Sequence, residues 1–414
     1  MSPASLSSVS AALFSPALDL LVDCQHTRTC PELPDSAWIE LGLDRVLQEV
    51  PSGRGYLQQH GYRLNHCPPR ANYFEALKSD RRLRLLRELN DQLIQSLVPT
   101  LNDPLAIYPE LVEFDLYAGD GHWHGAAAHD APVDGTKWSV GHFYALDLRR
   151  HTLRHLDLAQ GKKEHDMHLL KRQEVMSLRQ GAPKGRKVLY VWDKGGIDFR
   201  AWHRWKQTHG VYFISLEKSN MKLETNGLPA WDPQDPVNAG ILNVEYVGAG
   251  GVMIRRIRYC RPETGETLSF LTNEMTLRPG IVAFLYKLRW DIEKVFDQLK
   301  NKLGEQQAWA SSPTAKTIQA GFICLLHNLL QRVETRLKEE GIENEAELNR
   351  KAQEFEKTQQ LATQAGRKIP SPVVRLQRLT QRSVKLLRWL RSSIVDRLAW
   401  DVATPRLRAL YATL

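Results

Sequence analysis

Residues 188–216 read VLYVWDKGGIDFRAWHRWKQTHGVYFISL, and their pattern decides the fold class. Val188 to Trp192 is a short, fully apolar run, as expected of a strand buried on both faces. Asp193 follows it, then Lys194 and two glycines. Phe199 to Thr208 carries helical spacing, and Val211 to Leu216 is apolar and strand-like again. A strand–helix–strand unit implies an α/β core with parallel neighbours.

Upstream, Leu111 to Ala118 alternates in the manner of a strand. Trp138 to Leu148 and Thr152 to Leu158 are two further strands joined at Arg149-Arg150-His151. Three strands followed by strand–helix–strand is the order of a ribonuclease-H-like α/β core. Before them, Trp38 to Val50 and Tyr73 to Leu97 show helical spacing, interrupted by Pro68-Pro69. The run Arg81-Arg82-Leu83-Arg84-Leu85-Leu86-Arg87 puts several arginines on one helix, within reach of phosphates if that face is free.

Downstream, Asn226-Gly227-Leu228-Pro229, Asp232-Pro233 and Gly248 to Gly251 are turn chemistry, and Val252 to Tyr259 and Thr267 to Leu271 read as strands. From Pro279 the chain is helical, apart from a loop near Gly366 to Pro372. The expected organisation is an N-terminal helical domain with possible DNA contact (1–108), a core in two parts (109–220 and 265–335), a β-rich insertion (221–264), and a basic C-terminal helical region (336–414).

A chain of 414 residues with 42% apolar and 25% charged residues is that of a multi-domain globular protein. No apolar run reaches the ~18 residues a membrane span needs. No basic stretch precedes the first apolar one, so no signal peptide is expected. Five scattered cysteines suit a reducing cytoplasm. The net charge is +9. Residues 367–414 hold eleven Lys/Arg and two Asp, 11 − 2 = +9, so the whole excess lies there. Such a concentration points to a polyanion partner, nucleic acid first. Within it Arg375, Arg378, Arg382 and Lys385 recur along one helix edge beside a leucine stripe, a candidate DNA-contacting ridge.

The strongest chemical signal is Tyr286-Lys-Leu-Arg289-Trp-Asp-Ile-Glu293, continuing to Lys300. At ~100° per residue, Tyr286, Arg289, Glu293 and Lys300 fall within about 60° on a helix. They set a phenol, a guanidinium, a carboxylate and an ammonium along one edge. For phosphodiester chemistry the carboxylate binds metal and the other three hold phosphate oxygens. The bland alternative is an amphipathic helix with an i,i+4 Arg–Glu pair.

These four residues resemble the Y-x2-R-x3-E-x6-K signature of bacterial insertion-sequence DDE transposases of the YREK group, and Leu271-Thr272-Asn273 is similar to that family too. The resemblance covers roughly residues 109–330. It implies two further aspartates at strand ends. Asp193, before Lys194-Gly195-Gly196, matches the second. Asp120, in Gly119-Asp120-Gly121-His122, matches the first, with Asp115 as its rival in the same strand. The family's arginine after the following strand is absent, with Leu216 at its place; Lys218 and Asn220 remain as DNA-contact candidates.

The family's chemistry implies two Mg2+ ions, with Mn2+ able to substitute, held by Asp120, Asp193 and Glu293. It also implies cleavage at terminal inverted repeats, joining to target DNA, and a homodimer on double-stranded DNA in the cytoplasm at the nucleoid. The alternatives are a ribonuclease-H-like nuclease without strand transfer and a domesticated DNA-binding protein. Other candidates are weaker. Cys24, Cys30, His66 and Cys67 fit no zinc spacing. His122, His124 and His129 read as surface loop residues, and Trp231, Trp290 and Trp309 as core.

Overall fold

The computed structural model describes residues 7–48, 52–59, 61, 68–162, 164–173, 175–249, 251–303, 306–375 and 382–412. His66, Cys67 and Arg378, named above, lie outside them.

The nine described strands form one sheet. They are β1 (Phe114–His124), β2 (Val140–Asp147), β3 (Leu153–Leu158), β4 (Lys187–Val191), β5 (Val211–Leu216), β6 (Glu224–Gly227), β7 (Ile241–Ala249), β8 (Val252–Cys260) and β9 (Thr267–Thr272). Their order is β3-β2-β1-β4-β5-β9-β8-β7-β6. β1, β4 and β5 are parallel, and every other neighbouring pair is antiparallel. The turn-rich stretch after β5 therefore builds strands that extend the same sheet, with β9 returning antiparallel beside β5.

Five helices precede the sheet: α1 (Val9–Leu20), α2 (Asp35–Gln48), α3 (Gly53–Gln59), α4 (Arg70–Ala76) and α5 (Asp80–Leu97). Between β3 and β4 lie α6 (Asp166–Arg172) and α7 (Val175–Leu178), and α8 (Phe199–His209) joins β4 to β5. Asp198 caps α8 by accepting the Ala201 N–H, and Gly210 ends it in the left-handed region at φ 63°. After β9 come α9 (Pro279–Leu288), α10 (Trp290–Lys302), α11 (Pro313–Glu339), α12 (Glu345–Gln364), α13 (Ser371–Arg375), α14 (Val384–Val395) and α15 (Trp400–Ala412). None of the described helices is long and apolar enough to cross a membrane.

Strand alternation sorts the side chains into two layers. Leu116, Ala118, Tyr144, Leu146, Leu189, Val191 and Ile214 face a core shared with α2, α5, α10 and α11. Tyr117, Phe143, Val188, Tyr190, Trp192 and Phe213 face the opposite layer, with Leu169, Leu170 and Trp202. Between Ala315 and Leu330 α11 is buried nearly all round, and it packs on β3, α5, α2 and α1. The N-terminal helices thus share their core with α11 instead of closing one of their own.

Three expectations need correction. β1 starts at Phe114 and runs to His124, because β2 keeps pairing with it through Asp120↔Tyr144 and His124↔Val140. Asp120 is therefore inside β1, not at its end, although the parallel ladder with β4 stops at Ala118↔Val191. His122 and His124 consequently point into the core and are buried, while His129 is exposed in a turn.

The basic ridge at 375–385 is not one helix. The described part of α13 reaches Arg375, and Arg382 and Ser383 lie before α14 in non-helical chain. Arg382 is 5% exposed. It ion-pairs with Glu334 at 2.8 Å and donates to the His327 carbonyl at 3.2 Å, so it pins the C-terminal segment to α11. Lys385 is half-buried in α14.

Arg81 and Arg82 are also turned inward: both pair with Asp35, and neither lies on a free phosphate-facing surface. Arg84 and Arg87 are exposed.

Candidate active site

The parallel ladder β1–β4 ends while the antiparallel ladder β1–β2 continues. Past Ala118, β1 is therefore paired only with β2, beyond the carboxyl end of β4, and the carboxyl ends of strands are where ligands bind in open α/β sheets. Asp120 stands on this stretch of β1. Its even-numbered parity turns it toward the layer of Leu116 and Ala118, where α10 packs. Trp192 directly follows β4, with its ring in the opposite layer, and the charge of Asp193 acts on the Tyr286 phenol at the end of α9. Asp193 keeps extended backbone, φ −70° and ψ 174°, and its carbonyl accepts from the Ser215 hydroxyl at 2.8 Å.

The third acid comes from the helices after the sheet. α9 and α10 are separated at Arg289, where the bonds tighten to i,i+3: the Arg289 N–H reaches the Tyr286 carbonyl and the Ile292 N–H reaches the Arg289 carbonyl, each 3.1 Å. Tyr286 to Lys300 is thus not one regular helix. Arg289 keeps helical angles, so its side chain remains one turn from Glu293.

The guanidinium of Arg289, 5% exposed, joins the acids. Nη2 donates to Glu293 Oε1 at 2.6 Å, and Nη1 lies 3.3 Å from Asp120 Oδ2. The first contact is what any amphipathic helix makes. The second is not, since it crosses from α10 to the sheet. Arg289 also sits 5.6 Å from the ring centroids of both Tyr286 and Trp290.

Asp115, the rival to Asp120, is taken up elsewhere, in an ion pair with Arg186 at 2.8 Å.

Burial raises the Asp120 carboxyl to about 7, against the pull of Arg289 and of the Gly121 N–H, which Asp120 accepts at 2.8 Å; Asp166 and Glu293 add repulsion. Burial also raises the Tyr286 phenol. Arg289 opposes this, and the charges of Asp193 and Glu293 reinforce it. Tyr286 therefore feels both remaining acids. Burial raises Asp166 too, with Asp193 adding to it and Lys218 opposing.

The structure brings together Asp120, Arg289, Glu293 and Tyr286, with Asp193 in their electrostatic reach. Lys218, half-buried after β5, faces Asp166 electrostatically, and Asn220 beyond it is exposed. Lys300 is exposed at the end of α10. Arg375 closes α13 and Lys385 lies in α14, away from these acids in the chain. Trp290, expected in the core, is 48% exposed and lines a cleft of about 360 Å³ with Tyr259, Phe270, Phe284 and Tyr286. Trp231 and Trp309 do pack against the main core.

One acid went unread in the sequence. Asp166 opens α6 in a segment without strand or helix signal strong enough to place it. Its only cue was an acidic first turn.

Asp120, Asp193 and Glu293 offer oxygen donors alone, as a hard divalent cation prefers. Among the described residues no three acids, histidines or cysteines are already drawn in around a metal position. The Arg289 guanidinium lies between Asp120 and Glu293. The donor chemistry of the three acids fits a divalent ion.

Compared with known families, residues 129–329 match the transposase DDE domain. No curated protein matches the chain.

Proposed function

We propose that the chain, whose residues 129–329 match the transposase DDE domain, is a DDE transposase that cuts DNA at the terminal inverted repeats of its element and joins the freed ends to target DNA. The observation that carries this is the convergence on Arg289 of Asp120 and Glu293, which are 173 residues apart by their numbers (293 − 120) and come from the sheet and from α10. Strand order β3-β2-β1-β4-β5 with β2 antiparallel supports a ribonuclease-H-like core, and β6 to β8 are its insertion. The Tyr286, Arg289, Glu293, Lys300 spacing supports the YREK group.

In this reading Asp120, Asp193 and Glu293 hold two Mg2+ ions, or Mn2+ in their stead. Such a pair activates an attacking oxygen and stabilises the leaving one. The protein's own part is placement. β1 and the residue after β4 would supply two of the carboxylates, and α10 the third. Arg289, released from the carboxylates, donates to phosphate oxygens, with Tyr286 and Lys300 along the same edge. Lys218 and Asn220 lie where the flanking strand would pass. Arg375, Arg378 and Lys385 remain DNA-contact candidates, whereas Arg382 is committed inside the fold. Two copies hold the two ends, so the DNA complex is a homodimer.

The test is an oligonucleotide bearing one element end, incubated with the full chain, Mg2+ and a target plasmid. Cleaved and joined products are expected. Asp120→Asn, Asp193→Asn and Glu293→Gln each lower both by about a thousandfold while end binding persists. Cleavage with no joined product would favour a nuclease. Binding with neither product would favour a DNA-binding protein.

A further inference from the structure

The turn that carries Asp193 is braced from behind by two residues, Trp192 and Asp166. Trp192 is fully buried, directly before Asp193. Its ring fills the space that side chains would need at Gly119 and Gly196. A Cβ built at Gly119 would lie 1.7 Å from the ring, and one at Gly196 would lie 2.4 Å from it. The indole Nε1 donates to Asp166 Oδ2 at 2.9 Å. The same carboxylate occupies the side-chain space of Gly195, where a Cβ would meet Oδ2 at 2.3 Å. Both glycines after Asp193 are thus explained by contacts with Trp192 and Asp166.

We propose that Asp166 and Trp192 are positioning residues that set the separation and aim of Asp120 and Asp193 through a single indole–carboxylate hydrogen bond. This rests on the reading of those two acids as metal-holding groups. The register carries the point. The parallel ladder's last pair is Ala118↔Val191; Gly119 and Trp192 are the next residue on each strand, in contact through the indole ring, and Asp120 and Asp193 follow them directly in the chain. The ring wedged on Gly119 is therefore the last spacer before the two carboxylates, on the other face of the sheet. Packing holds the ring against Gly119 and Gly196 but gives it no polar anchor. A charge-assisted bond to Asp166 selects one placement. Asp166 itself is fixed by α6, whose Met167, Leu169 and Leu170 are buried in the same layer as the indole. Misplacement of about 1 Å at a reacting centre costs on the order of a hundredfold in rate.

The test uses the full chain, with Mn2+ affinity followed by the loss of free-ion paramagnetic resonance signal and Mn2+-dependent plasmid cleavage followed alongside. Asp166 is only partly buried, so Asp166→Ala is expected to fold with a melting temperature near that of the unaltered chain. It should weaken Mn2+ binding by about tenfold and cleavage by about a hundredfold. Asp166→Asn, which keeps an acceptor oxygen for the indole, should recover most of both losses. Trp192→Phe should fall at least as far as Asp166→Ala, since it loses ring volume as well as the bond, and adding Asp166→Ala to it should cost no more, because the bond is already gone. Asp166→Ala binding and cutting as well as the unaltered chain would overturn the proposal. So would Asp166→Asn falling as far as Asp166→Ala, since charge and not the bond would then be what matters. Losses that multiply in the double variant would overturn it too. Asp193→Asn serves as reference. If it binds Mn2+ as tightly as the unaltered chain, the metal-holding reading itself fails and takes this inference with it. If Asp193→Asn loses the ion and Asp166→Ala does not, only the positioning role fails.

Discussion

The Arg289 guanidinium lies 3.3 Å from the carboxylate of Asp120, a residue 169 positions earlier in the chain. The same side chain donates to Glu293, so one cation neutralises two acids that would otherwise repel at close range. Burial disfavours the charge on Arg289, but Tyr286, Asp120 and Glu293 outweigh it and hold the guanidinium protonated.

Under the proposed function, Arg289→Ala removes both a competitor for the two carboxylates and a group that donates to phosphate. Mn2+ affinity without DNA should rise by about tenfold, the worth of one charge-assisted contact, while end cleavage falls. Calorimetric titration with Mn2+ reads the first effect and an end-cleavage assay the second. Weaker Mn2+ binding in this variant would show that Arg289 does not compete for the site.

Asp120 gives the metal-free protein a pH signature. Its carboxyl is raised to about 7 from 3.8, burial being the main cause. The folded state holds the proton more tightly than the unfolded chain, so the associated stability is full below pH 4 and is lost as pH rises through 7. With chelator present, the melting temperature should drop between pH 5 and 8. The contribution of this group is at most about 4 kcal/mol. Asp120→Asn should flatten the difference, and Mg2+ should recover stability chiefly at pH 8. Equal slopes for both proteins in a melting series would refute the assignment.

Arg382→Ala is expected to act on stability, not on DNA contact. It leaves Glu334 unpaired and frees the chain before α14 from the His327 carbonyl. Loss of such a pair costs about 2–4 kcal/mol, toward the lower value because Glu334 is partly exposed. Urea unfolding reads this directly. A stable variant with a reduced salt slope of DNA binding would restore the surface role instead.

Gly280 seats α9 against the insertion. A Cβ there would lie 1.8 Å from the Val237 carbonyl oxygen, which is backbone and cannot swing aside, and the Gly280 N–H donates to Asn238. Gly280→Ala should destabilise by about 1–3 kcal/mol and lower cleavage by moving α9, whose end carries Tyr286 and Arg289. A chain with unchanged urea midpoint and unchanged cleavage would mean that the insertion is not what sets α9.

Much of the core was legible because its signals are local. Period and turn residues were enough for Val188 to Trp192, for α8 and for β5, since strand and helix leave their periods in any stretch long enough to bury a face. The Tyr286–Glu293 spacing likewise exposed a polar helix edge. Three features were beyond that reach. The length of β1 past Ala118 depends on its pairing with β2, a partner distant in the chain. The inward turn of Arg382 depends on α11, whose Glu334 and His327 wait 48 and 55 residues away. Asp166 gains its place only when Trp192, 26 residues on, aims an indole at it. Local pattern thus determined which segments are strands and helices and which residues could do chemistry, because backbone geometry and side-chain period act between near neighbours. Which acids stand together, and which arginines meet solvent, was decided by tertiary packing, because electrostatic and hydrogen-bond partners are chosen by distance in space and not along the chain.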